Sequence, residues 1–144
     1  MTMNSDFVIA LHSLVLLANL PNQMANSEAI AENVCTNPTR IRKIMSILRK
    51  NGYVKTKEGI GGGYVLSCNP EKTTLSQIYQ AMATGSLKPN WCTGDPDQAC
   101  VISSNTQVVM DQMFSEAEMH LQSYLNQITI SSVLERIKSC ELKE

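Results

Sequence analysis

Residues 37–52 read NPTRIRKIMSILRKNG, and the fold turns on how this stretch behaves. Asn37 can accept hydrogen bonds from the free N–H groups of a helix start, and Pro38 suits the first helical position, where its missing N–H costs nothing. Gly52 can take the left-handed geometry that stops a helix. Between them, at about 100° per residue, Ile41, Ile44, Met45 and Leu48 share one face. Thr39, Arg42, Lys43, Ser46 and Lys50 fall opposite. One side suits a core, and the other offers hydroxyls and cations.

Two strand-like runs follow, 53–57 and 63–68, around the tip Glu58-Gly59-Ile60-Gly61-Gly62. Glycines there allow positive φ and close backbone approach, as a tight hairpin needs. Gly59-x-Gly61 does not run into a helix, so a nucleotide-cradling loop is not expected. From 37 to 57 the charged residues are Arg40, Arg42, Lys43, Arg49, Lys50, Lys55 and Lys57, with no acid among them, although the whole chain carries −1. Such segregation points to a polyanion site on an otherwise acidic body. A helix beside a basic hairpin suits duplex DNA, the helix in the major groove and the hairpin on flanking phosphates. Arg42 is placed to fork onto a guanine edge, and Arg40, Lys43, Lys55 and Lys57 to meet phosphates.

Upstream, Ser5 or Asn4 can cap a first helix in which Phe7, Ala10, Leu11, Leu14, Leu17 and Ala18 recur at helical spacing, ended by residues 19–22. A second helix over 27–34 is expected to turn Ala29, Ile30 and Val34 inward. The brief turn 35–37 then gives a helix-turn-helix, and the hairpin makes it a winged one. Downstream, Asn69-Pro70 breaks the strand, and Thr74 with Gln77 forms a capping box for a short helix through Ile78, Tyr79 and Met82. Residues 84–104 read as a long loop holding Trp91, Cys92 and Cys100, and long loops are commonly functional or mobile. A helix over 106–127 carries Met110, Phe114, Ala117, Leu121, Tyr124 and Ile128 at alternating spacings of four and three, with Met113 and Leu125 beside them. That seam suits pairing with a second copy, or packing of an amphipathic helix on its own domain. A last helix is expected from the Ser132/Glu135 box, with Val133, Leu134 and Ile137 inward.

The expected architecture is mainly α with a small two-stranded β-wing (α+β). Residues 1–83 form a winged helix-turn-helix domain, 84–105 a loop that is a possible sensor segment, and 106–144 the dimerisation helix and C-terminal helix. A chain of 144 residues can bury one good core. No apolar run approaches the ~18 residues needed to cross a membrane, and the N-terminal stretch lacks a basic leader, so neither a membrane partner nor a secretory signal is expected. The five cysteines (35, 68, 92, 100 and 140) are scattered without a Cys-x-x-Cys, which fits a reducing cytoplasm and predicts no disulfide framework or metal site. Cys35 and Cys68, beside Val34 and Val65-Leu66, are expected in the core. No nucleophile–base pair or carboxylate cluster stands out, neither His12 nor His120 looks catalytic, and an enzyme is not expected.

With these residues laid out, the chain resembles the Rrf-two family of bacterial winged-helix transcription regulators. The resemblance rests on Ile30-Ala31-Glu32, on Asn37-Pro38 through Leu48-Arg49-Lys50-Asn51-Gly52, on the wing run Gly59-x-Gly61-Gly62-Gly63-Tyr64-x-Leu66, and on Leu125-Asn126-Gln127-Ile128-Thr129-Ile130. It implies a homodimer, paired through the long C-terminal helix and gripping a roughly palindromic operator as a repressor. It places Thr39, Arg42 and Lys43 at bases or phosphates, and Gly61, Gly62 and Tyr64 in the wing. The full DNA-facing set expected is Ser27, Asn37, Thr39, Arg40, Arg42, Lys43, Ser46, Arg49, Lys50, Lys55, Lys57, Gly61, Gly62 and Tyr64. The dimer set is Met110, Met113, Phe114, Ala117, Leu121, Tyr124, Leu125 and Ile128. Cluster-binding relatives place three cysteines before the long helix, whereas this chain has Cys92 and Cys100 there. An iron–sulfur cluster normally takes four protein ligands, so no cofactor is expected. Cys92 and Cys100 are instead candidates for a switch responsive to thiol oxidation or electrophiles. The alternatives are a cluster-sensing regulator and a winged-helix docking module that does not bind DNA.

Overall fold

Ile41, Ile44, Met45 and Leu48 all lie buried in one cluster with Ala10, Leu14, Leu17, Ile78 and Tyr79. This is seen in a computed structural model that describes residues 2–141, with side chains from Ser5 onward. The elements are α1 (Thr2–Asn19), β1 (Met24–Ala25), α2 (Ser27–Val34), α3 (Pro38–Lys50), β2 (Val54–Lys57), β3 (Gly63–Leu66), α4 (Leu75–Met82), α5 (Val101–Leu125) and α6 (Ile130–Glu141). Helix α1 is the central post, packing on α2, α3, α4 and α6. Each large aliphatic side chain buried there contributes about 1.5–3 kcal/mol, enough for four on one helix face to fix α3 in place. No helix among the described residues is long and apolar enough to cross a membrane.

The wing has the expected hairpin, with Val54 opposite Leu66 and Lys57 opposite Gly63. A third strand joins it: β1 pairs antiparallel with β3, Met24 against Val65 and Ala25 against Tyr64, giving the order β1-β3-β2. Two residues are too few to print an alternating pattern in a sequence. The close approach falls at Gly63, where a Cβ would lie 2.5 Å from the Ala25 carbonyl oxygen. At Gly62 a Cβ would run into the Lys57 carbonyl across the hairpin. These two glycines let three backbones meet.

Several expected boundaries move. Helix α1 already begins at Thr2, so Asn4 and Ser5 lie inside it and do not cap it. In α2 Ala29 faces solvent, and Ala31 is buried in its place beside Ile30. Helix α5 begins at Val101 rather than near 106, which shortens the loop to 84–100. Within that polar run the side chains bond back to the preceding turn of the helix. Ser104 Oγ donates to the Cys100 carbonyl at 2.9 Å, Asn105 Nδ2 to Val101 at 2.9 Å, and Thr106 Oγ1 to Ile102 at 2.6 Å. The α4 capping box is as expected, Gln77 N–H donating to Thr74 Oγ1 and Thr74 N–H to Gln77 Oε1. Helix α6, by contrast, is capped one box earlier: Ser132 N–H donates to Thr129 Oγ1 and Thr129 N–H to Ser132 Oγ.

The turn between α5 and α6 is sewn to the winged domain. Leu75 N–H donates to the Ile128 carbonyl at 2.8 Å, Ile130 N–H to Thr73 at 3.1 Å, and Ser131 N–H to Pro70 at 2.9 Å. Leu125, Ile128 and Ile130 are buried there. Replacing Gly63 by Ala forces β1 off β3 and is expected to lower unfolding free energy by about 1–3 kcal/mol, the usual cost of overpacking. Urea denaturation measures this. A midpoint unchanged from the parent would show that the approach of β1 to β3 is not tight.

Candidate nucleic-acid interface

The local sequence sets the two helices at the surface. Asn26 caps α2 by accepting from Ala29 N–H at 2.8 Å, and Asn37 caps α3 by accepting from Arg40 N–H at 2.8 Å. Between them Cys35 takes the left-handed conformation, φ 68°, and both Cys35 and Thr36 donate to the Ala31 carbonyl. This turn swings α3 across α2 and buries its apolar edge. Thr39, Arg42, Lys43, Ser46, Arg49 and Lys50 are left exposed on α3, with Asn37 at its start and Lys55 and Lys57 exposed on β2. Gly61 is exposed at the wing tip, whereas Gly62 and Tyr64 are half-buried and Tyr64 packs on the core. Ile60 stands fully in solvent at the tip.

Acids reach this acid-free stretch from elsewhere in the chain. Asp6 on α1 accepts from Arg40 Nη2 at 3.0 Å, so Arg40, expected at a phosphate, is ion-paired and fastens α3 to α1. Ser27, expected at the DNA surface, is buried. Its hydroxyl accepts from Arg42 Nη1 at 3.3 Å and donates to Glu28 Oε2 at 3.2 Å. Arg42 Nη2 donates to Thr39 Oγ1 at 3.2 Å, and Glu28 Oε1 lies 4.0 Å from Arg42 Nη1. Lys43, Arg49, Lys50, Lys55 and Lys57 make no ion pair among the described residues. Five of the seven cations therefore remain open to solvent. Glu28 and Asp6 escape a linear reading because each is brought in by another helix.

The long helix divides its seam. Leu125 and Ile128, expected to face a second copy, are buried in the chain's own core, and Leu121 packs against it. Ile128 lies beyond α5, in the turn that is sewn to residues 70–75. Phe114 is half-buried, while Met110, Met113, Ala117 and Tyr124 are exposed. Ile102 and Val109 continue that open apolar stripe toward the start of the helix.

The loop 84–100 is held to α5 at several places, among them Asp95 N–H donating to the Ser103 carbonyl at 3.1 Å. Glu118 accepts from Tyr79 Oη at 2.9 Å and from Gly85 N–H at 3.0 Å, and burial pushes the Tyr79 phenol above its ordinary range. Further along, Lys88 Nζ lies 2.7 Å from Asp111 Oδ1, and Gln107 bridges Asp111 to Thr93 N–H. The hydrogen bond from Lys88, helped by Gln107, holds the Asp111 carboxyl below the usual carboxylate range. Cys92 and Cys100 are both exposed, and Cys100 sits at the N-cap of α5. Backbone N–H groups of Ser103 and Ile102 face its sulfur and lower its pKa, since they favour the thiolate. Burial instead raises Cys68, partly offset by a hydrogen bond with Thr73. Cys35, expected in the core, is exposed because the left-handed turn points it outward. Among the described residues no three His, Cys, Asp or Glu side chains converge as a metal site.

Helix-turn-helix, glycine-tipped wing and an outlying long helix together define a winged-helix regulator. The chain belongs to the Rrf2 family, described as iron-dependent transcriptional regulators, whose profile matches residues 3–136. It is 24% identical to the HTH-type transcriptional regulator YwnA of Bacillus subtilis (strain 168), over 93% of this chain and 98% of that protein. It is 27% identical to YwgB of the same organism, over 95% of this chain and 86% of that one. Among solved structures, a transcriptional regulator from Lactobacillus plantarum superposes with a TM-score of 0.79 at 25% identity, covering 92% of this chain and 89% of the other. T. potens IscR shares the fold, with a TM-score of 0.70 over 94% and 88% of the two chains at 20% identity.

The thiol environments set an order of reactivity. Under brief alkylation with iodoacetamide near neutral pH, Cys100 is expected to be modified first and Cys68 last, as read by peptide mass spectrometry. The inflection of rate against pH should fall below the ordinary thiol range for Cys100 and above it for Cys68. Equal rates at the two sites would show that the N-cap does not hold the thiolate.

Proposed function

We propose that this regulator binds duplex DNA as a homodimer and represses by occupying a roughly palindromic operator. The observation that carries the proposal is the exposed face of α3, where Thr39, Arg42, Lys43, Ser46 and Lys50 stand clear of the core beside Lys55 and Lys57 on the wing. A docking module has no use for such a concentration of open cations. Helix α3 enters the major groove, Arg42 reads a base edge, and the lysines meet phosphates. Two copies joined by a two-fold axis place two such helices about 34 Å apart, one turn of duplex. The exposed stripe through Ile102, Val109, Met110, Met113 and Tyr124 is the surface that pairs them. A second reading follows from Cys100: oxidation or alkylation of this favoured thiolate at the head of α5 changes DNA affinity, and Cys92 in the same loop is its neighbour in sequence.

Gel shifts on promoter DNA at several salt concentrations test the DNA reading. Log K is expected to fall linearly with log salt, by about 0.9 for each phosphate contact. The double variant Arg42→Glu, Lys43→Glu is expected to bind no DNA yet to sediment as the parent does. Binding that ignores salt, or is absent in the parent, favours a docking module. Met113→Glu is expected to shift the protein to a monomer in sedimentation velocity while its circular dichroism is kept, and a dimer that survives it places the interface elsewhere.

A further inference from the structure

Arg42 does not stand alone on the face of α3. Its Nη1 donates to the buried Ser27 hydroxyl and its Nη2 to Thr39 Oγ1, while the Glu28 carboxylate lies 4.0 Å from Nη1 and is itself bound by Ser27. Three groups from two helices thus grip one side of a planar cation that has five N–H donors to give. Lys43, on the same helix, has no such surroundings among the described residues.

Taking DNA binding as given, we infer that Glu28, with Ser27 and Thr39, is a specificity device: a socket that holds Arg42 for a base edge and makes it a poor phosphate ligand. A carboxylate beside the guanidinium cancels its charge at the range where a phosphate is attracted. It leaves the directional donors of the fork intact. A base edge is read only by directed donors, whereas the pull of the phosphate backbone at range grows with net charge. Glu28 also repels any backbone that approaches Arg42 out of register, which costs affinity on wrong sequences. Ser27 gives the socket its rigidity. Its side chain is buried, so the hydroxyl cannot follow Arg42 outward. Arg42 acts on the DNA, and Glu28 and Ser27 are positioning residues acting through it.

The test compares two duplexes of equal length: one selected by the parent full-length protein from a random-sequence pool, and a scrambled version of it. With Glu28→Gln, affinity for the scrambled duplex is expected to rise about two- to fivefold, the scale of an exposed ion pair. The selected duplex should gain nothing, so the ratio of affinities falls. The salt slope on scrambled DNA should steepen by about 0.9, as Arg42 becomes free to meet a phosphate. Ser27→Ala leaves the charge unchanged and should lower the same ratio, which separates geometry from charge. Arg42→Lys keeps the charge without the fork and should cost about tenfold or more in discrimination at one base pair. On the Arg42→Lys background Glu28→Gln should then lower the ratio no further. If Glu28→Gln moves both duplexes by one factor, or neither, the socket is refuted while DNA binding stands. If the parent selects no sequence at all, the DNA reading fails first and takes the socket with it.

Discussion

The cation-bearing surface depends on the burial of one edge of α3. Ile41, Ile44, Met45 and Leu48 are at most about 1% exposed, and they occupy the same cluster as α1 and α4. A thirteen-residue helix in isolation is marginal in water, so this helix exists because its apolar edge has somewhere to go. The same packing decides what the opposite edge does. With the rotation of α3 fixed by four buried side chains, Thr39, Arg42, Lys43, Ser46 and Lys50 have no choice but solvent. Function here is the unburied remainder of a folding requirement.

The second constraint lies at the other end of the chain. Leu125, Ile128 and Ile130 belong to the winged domain's core, and three backbone hydrogen bonds tie the turn between them to residues 70–75. Helix α5 is therefore anchored by its C-terminal end and packs on α4, while the residues from 101 to 113 carry exposed apolar side chains away from the core. The loop 84–100 rides on this same helix through Glu118 and Asp111. Cys100 sits at the N-terminal end of this helix, whose other end is embedded beside α4. Tyr79 joins the two directly: its ring meets Phe7 of α1 edge-on at 5.5 Å, and its hydroxyl donates to Glu118 of α5.

Much of this was legible in the residues, and the failures have two causes. Strong signals transferred intact: the Asn37-Pro38 start and the Thr74/Gln77 box depend on neighbours within one turn, and the apolar edge of α3 repeats at helical spacing. What misled was either decided by a distant partner or set by local backbone geometry that composition does not show. Strand β1 is two residues long and exists only because β3 offers a free edge. Residues 101–105 read as loop by composition, yet they form the first turn of α5. Cys35 reads as core beside Val34, but a single left-handed residue turns it outward. The heptad spacing of α5 was real, and part of it serves the chain itself rather than a second copy, because spacing cannot say whose core a residue enters.

Charge illustrates the same limit more sharply. Along the chain, 37–57 holds seven cations and no acid. In space two of them have acidic neighbours, and the two pairs do different things. Arg40 and Asp6 join α3 to α1 at 3.0 Å, half-withdrawn from solvent, which makes the pair part of the scaffold. Arg42 and Glu28 remain well exposed at 4.0 Å, a geometry that adds little to stability. A pair that stabilises little, on the surface most open to a ligand, is better explained by what it does to that ligand. Five uncompensated cations suffice to draw a polyanion. The sixth, held in its socket of hydroxyl and carboxylate, is the one whose direction is controlled, and direction is what distinguishes one base edge from another.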